Sequence, residues 1–74
     1  MKNYKDLNDD SGITAYKYGD NSIFIQYKTG KIYEYLESKI GTSHLNTMKR
    51  LADSGNGLNA YIMNNDKVKI GYRR

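Results

Sequence analysis

Residues 22–36, SIFIQYKTGKIYEYL, constrain this chain more than any other stretch: an apolar run, a turn at Thr29-Gly30, and a second run carrying Tyr33 and Tyr35. Register decides which of these side chains meet a core, because a one-residue slip sends a whole strand to the other face. A two-residue loop would set Ile25 across from Glu34 and place a carboxylate among Ile23, Ile25 and Tyr27 with no partner to hold it. A three-residue loop of Lys28, Thr29 and Gly30, with Gly30 supplying the left-handed residue of a bulged type I turn, pairs Ile25 with Tyr33 and Ile23 with Tyr35. The pattern therefore predicts an inner face of Ile23, Ile25, Tyr27, Tyr33 and Tyr35, the tyrosines burying their rings and reaching a polar rim with their hydroxyls. Phe24, Gln26, Ile32 and Glu34 are left as an outer strip, the kind of surface that marks a protein contact.

The rest of the chain reads as cover for that inner face. Residues 1–10 are polar, with Tyr4 and Leu7 as the only large apolar side chains after the first methionine, and read as a loosely attached leader. Residues 11–18 have strand composition, and Gly19-Asp20-Asn21 is a turn signal. Ile13 and Tyr16 fall on opposite faces of a strictly alternating strand, so a bulge near Thr14 or Ala15 is expected. After Leu36 the period changes. Residues 37–41 read as a link, Thr42 or Ser43 as a helix cap, and Leu45, Met48, Leu51 and Ala52 as one helical stripe, with Lys49 and Arg50 in the last turns and Gly55 as a left-handed terminator. A second helix over residues 58–65 would present Leu58 and Ile62 to the same core. Asn64-Asn65-Asp66 breaks it, and KVKIGY alternates like a half-buried edge strand. The expectation is an α+β domain over residues 11–66, a three-stranded antiparallel meander with two helices on one face, followed by residues 67–74 as a basic tail or short edge strand.

Composition narrows the function classes. The 74 residues contain no cysteine, which excludes disulfide frameworks, cysteine nucleophiles and thiolate metal sites. No apolar segment follows the first lysines, so neither a secretory signal nor a membrane span is expected, and a cytoplasmic location is the default. Residues 1–66 balance eight basic against eight acidic groups, so the net charge of +4 belongs to Lys67, Lys69, Arg73 and Arg74. Lysines on a terminal strand discourage edge-to-edge aggregation. The same residues would also make a phosphate-attracting arm whose affinity falls steeply with salt.

An ordered series of residues resembles the KTSC domain, a small domain named for the C-terminus of some lysyl-tRNA synthetases and also found as stand-alone bacterial or phage proteins. The series is Ser11, Ile13 and Tyr18, then Ile23-x-Ile25-x-Tyr27-x-x-Gly30, then Tyr33-x-Tyr35, then Leu51-Ala52-Asp53-Ser54-Gly55 leading to Leu58-Asn59-x-x-Ile62. It spans most of the chain. The resemblance implies about three strands followed by two helices, and a role for which RNA binding has been proposed. The link after Tyr35 is longer than usual, either Asp53 or Ser54 could hold the family's serine position, and the basic tail extends beyond the family's end.

Catalytic readings find little support. His44 is the only histidine and sits at a predicted helix start, where solvent exposure is the plain expectation. No nucleophile-elbow motif joins it to a serine and an aspartate. Asp6, Asp9 and Asp10 lack the spaced oxygens and glycine of a calcium loop. Gly55-Asn56-Gly57 follows a helix rather than a strand and has no Walker lysine, so it reads as a helix connector. A DNA-reading helix over Asn59, Asn64 and Asn65 would have no basic residue before Lys67. No cofactor motif is present.

Two non-enzymatic readings remain. One is a module for RNA or single-stranded nucleic acid, with Lys28, Lys31, Lys67, Lys69, Arg73 and Arg74 on phosphates and Tyr72 stacking on a base. The other is a protein-interaction module, a phage-type adaptor or inhibitor, docking through Phe24, Gln26, Ile32 and Glu34 or by strand addition. Its edges are compatible with a homodimer without requiring one.

Overall fold

The central hairpin has the register that keeps Glu34 out of the core. In the computed structural model, which describes residues 1–7 and 12–73, the last of these through its backbone, β3 (Ser22–Tyr27) and β4 (Ile32–Leu36) pair Ile25 with Tyr33, Phe24 with Glu34 and Ile23 with Tyr35. Gly30 closes the turn at φ 91°, donating to the Tyr27 carbonyl at 2.8 Å, while the Tyr27 amide donates to Lys31 at 2.9 Å. β2 (Ile13–Tyr18) joins the other side of β3 with a register shift between Ile13 and Ala15. That irregularity is the bulge expected there, and it turns both Ile13 and Tyr16 inward, to 1% and 5% exposure. Ser11, Asp9, Asp10 and Arg74 lie outside the described residues.

The sheet is wider than three strands. β1 (Lys2–Asn3) pairs antiparallel with β2, and β5 (Tyr72–Arg73) pairs antiparallel with β4, so among the described residues five strands lie in chain order. The leader expectation therefore fails for residues 1–7. Tyr4 is buried, its ring meeting Tyr16 edge-on at 6.5 Å, its amide donating to the Thr14 carbonyl, and its hydroxyl accepting the Leu58 amide at 3.3 Å.

Among the described residues, four helices stand where two were expected. α1 (Glu37–Ile40) occupies the predicted link and buries Ile40 completely, and α2 (Thr42–Ser54) follows after the single residue Gly41. Neither Thr42 nor Ser43 caps α2; the Thr42 hydroxyl turns back to the Glu37 carboxylate at 3.1 Å instead. Leu45, Met48 and Ala52 are the buried stripe, and Gly55 ends the helix at φ 76°. Because α2 runs to Ser54, Lys49 and Arg50 precede its last turn; the Lys49 ammonium lies 5.4 Å over the Tyr18 ring and donates to the Asp20 carbonyl. α3 (Leu58–Asn64) buries Leu58 and Ile62 as expected.

KVKIGY is not a strand along its length. Asp66–Lys69 forms α4, with the Asn65 carbonyl accepting the Val68 and Lys69 amides, Asp66 in its first turn and two lysines in its last, the charge order that a helix dipole favours. Val68 is fully buried and Ile70 is 78% exposed, so the apparent alternation places only one anchor in the core. No described helix is long and apolar enough to cross a membrane.

Candidate nucleic-acid interface

Where the helical layer meets the β4–β5 edge, an open groove of about 530 Å³ is walled by tyrosine. Tyr27, Tyr33 and Tyr35 come from the inner face of β3 and β4, Tyr72 from β5, and Ile62, Met63 and Ile70 supply aliphatic surface. The rings form a connected set. Tyr33 stacks on Tyr72 at 4.4 Å between centroids with 14° between planes, and tilts against Tyr27 at 5.2 Å. Tyr35 and Tyr27 share a hydroxyl–hydroxyl hydrogen bond of 3.2 Å. Burial pushes the phenols of Tyr27 and Tyr35 above their ordinary value, so both stay neutral at physiological pH. The charge of the groove is then set by the two lysines that line it, Lys31 and Lys69.

Three of the seven expected nucleic-acid contacts, Lys31, Lys69 and Tyr72, thus come together. Lys28 is exposed on the hairpin turn and Lys67 on α4, both outside the groove lining, and Arg73 takes the register position opposite Glu34. The four outer-strip residues pair as expected, Phe24 with Glu34 and Gln26 with Ile32, and Ile32 is 43% exposed. Sequence reasoning placed Tyr27 and Tyr33 in the core. The structure leaves both half-buried, packed against the core on one side and lining the groove on the other. Met63 and Ile70, exposed at 46% and 78%, were the readable sign of that groove: large apolar residues beside Ile62 and Val68, which are already committed to the core.

The chain matches no protein-family model, no curated protein and no solved structure.

Two further clusters are structural in geometry. Both oxygens of the Asp53 carboxylate accept phenols, from Tyr16 at 2.7 Å and Tyr18 at 2.6 Å, tying α2 to β2. His44 is half-buried rather than exposed, its Nδ1 2.5 Å from the Tyr61 hydroxyl, which links α2 to α3. Among the described residues no group of three or more His, Cys, Asp or Glu side chains could hold a metal.

The Asp53 cluster has a pH signature. The Tyr18 and Tyr16 hydroxyls, with Lys2 and Lys5 nearby, hold the Asp53 carboxyl below its usual range against a small opposing effect of burial. Its contribution is present above the unfolded carboxylate pKa and is lost as pH falls through the lowered value. The Tyr16 phenol is pushed up from 10.0 to about 12, first by the bond to Asp53 and then by burial. A phenol raised on folding stabilises fully below its unfolded value and loses that effect as pH climbs through the folded one. Stability should therefore hold to about pH 10 and fall between about 10 and about 12. Asp53→Asn should bring the Tyr16 titration down toward 10.0, read from tyrosine ring-carbon chemical shifts; an unmoved midpoint would show that burial alone sets it.

Proposed function

We propose that this protein is a non-catalytic binding module for RNA or other single-stranded nucleic acid. The stacked Tyr33–Tyr72 pair, set in an apolar groove between Lys31 and Lys69, carries the reading. Unpaired bases offer flat faces that stack on aromatic rings regardless of sequence, and lysines beside the rings take the phosphates. Duplex nucleic acid keeps its base faces stacked internally and has nothing to offer such a groove. The resemblance to the KTSC domain points to the same ligand class.

Fluorescence anisotropy with a labelled single-stranded RNA across a salt series tests this. Tyr72→Ala should weaken binding by roughly 1–3 kcal/mol, the range for loss of one base–aromatic stack. Lys31→Gln and Lys69→Gln should each lower the salt slope by about 0.7, the single-strand value for one phosphate contact. Substitution is the right tool here rather than removal of residues 67–74, since Val68 belongs to the core. Ile32→Thr, on the opposite face of the sheet, should leave affinity unchanged. Absence of binding at low salt ends the proposal. A second reading, a protein contact through Phe24, Gln26, Ile32 and Glu34, is supported by the exposure of Ile32 on that outer face and would be favoured by that result.

A further inference from the structure

We infer that residues 69–73 form a hinged jaw, which opens to admit an unstacked nucleobase between Tyr33 and Tyr72; the inference rests on the nucleic-acid reading above. The groove has two unequal walls. Tyr27, Tyr33 and Tyr35 sit on central strands, and Ile62 is 1% exposed in the core, so this side is fixed. Lys69, Ile70 and Tyr72 sit on the other wall, carried by a segment that leaves the core at Val68 and rejoins the sheet through the two-residue strand β5.

What holds that segment is local: the Ile70 and Gly71 amides donate to the Asp66 and Val68 carbonyls at 3.1 Å each, and the Tyr72 ring lies on Tyr33 and against Tyr35. Ile70 is 78% exposed and anchors nothing. Gly71 passes so close to α1 and α4 that a Cβ there would lie 2.7 Å from Ile40 Cγ2 and 2.7 Å from the Lys67 carbonyl oxygen. Short edge strands with few buried apolar groups sit at the low end of the local opening free energies in a protein.

The ring geometry supplies the slot. Tyr33 and Tyr72 are nearly parallel at 4.4 Å, in van der Waals contact, so nothing fits between them while the jaw is closed. Opening to roughly twice that spacing makes room for one more ring and exchanges a single tyrosine–tyrosine stack for two tyrosine–base stacks. The ligand this selects is a base flanked by phosphates that can enter edge-first, hence one in a single strand. Its phosphates would meet Lys31 on the fixed wall and Lys69 on the jaw.

A reversible lock decides the matter. Glu34 and Arg73 face each other in the β4–β5 register, cross-strand pairs lie within disulfide reach, and the chain has no other cysteine to interfere. In the double variant Glu34→Cys/Arg73→Cys, the oxidised form should bind a labelled RNA of about eight nucleotides at least roughly tenfold more weakly than the same protein after reduction, since the lock removes the open state. Equal or tighter binding by the oxidised form overturns the jaw and leaves the bases on the outside of a closed pair. Hydrogen exchange on the wild-type protein without ligand gives an independent reading. The Tyr72 and Arg73 amides should exchange at least roughly tenfold faster than those of Ile25 and Tyr35. Protection equal to the central strands overturns the jaw whatever the RNA does. Fast exchange together with no RNA binding by the wild-type protein at low salt overturns the nucleobase as ligand and the underlying reading with it.

Discussion

Gly55→Ala should unfold this protein at temperatures well below the wild-type midpoint. Gly55 ends α2 with φ at 76°, its amide donating to the Leu51 and Ala52 carbonyls at 3.0 and 3.3 Å. An alanine in that left-handed conformation costs about 1–2 kcal/mol. The larger obstacle is the chain that crosses it. The Leu7 amide donates to the Gly55 carbonyl at 2.8 Å, and this crossing presses Lys5 onto the glycine, where an added Cβ would collide with Lys5 Cβ and lie 3.2 Å from Cγ and 3.3 Å from Cα. All three atoms belong to the stem or backbone of Lys5, so relief requires moving the N-terminal segment, at about 1–3 kcal/mol for an overpacked site. The sum, about 3 kcal/mol, corresponds to a loss of more than roughly 10 °C in Tm for a domain of this size. Circular dichroism melts measure it. Adding Lys5→Gly should recover the collision part and leave the backbone part; a single variant that melts within a few degrees of wild type would mean that the crossing yields freely.

Tyr4→Ala should be comparably damaging. The ring is 6% exposed and packs edge-on against Tyr16, and its hydroxyl accepts the amide of Leu58, the first residue of α3. Truncating a buried aromatic side chain to alanine costs about 3–5 kcal/mol. Tyr4→Phe separates the two contributions: it keeps the ring, loses the acceptor for a buried amide, and should cost about 1–3 kcal/mol. Chemical denaturation of the three proteins gives the values. Were residues 1–7 the loose leader that their composition suggests, Tyr4→Ala would fall within about 0.5 kcal/mol of wild type, as surface substitutions do.

What could be read from the chain was local, and what could not was distant. The Glu34 carboxylate between two tyrosines was enough to reject one hairpin register, and the clash of Ile13 with Tyr16 in strict alternation was enough to expect a bulge between them; both resolve within a strand and its neighbour. Tyr4 could not be placed that way. Its amide partner is 54 positions further along, and nothing near Tyr4 hints at it. The last eight residues misled for a different reason. Val68 and Ile70 fit a strand's period, but a segment that needs only one apolar anchor obeys no period, and Asn65 with Asp66 then started a helix. The groove was half legible: Lys31, Lys69 and Tyr72 were nominated by charge and by place in the turn or tail, whereas Tyr27 and Tyr33 looked like core because sequence tells which face a side chain is on and not how fully that face is covered.

The sheet's neighbour order carries a consequence for how the chain assembles. Because β2, β3 and β4 each lie beside the strand made just before, the β2–β3 and β3–β4 hairpins can zip up from short loops as soon as both arms exist, the fast regime for β structure, whereas β5 joins β4 only after the helices between them are made. The first seven residues leave the ribosome earliest, yet the Gly55 carbonyl and the Leu58 amide that receive them are made some fifty positions later. Lys2 and Asn3 can pair with β2 early, but the seating of Tyr4 and Leu7 against α2 and α3 waits until those helices are made.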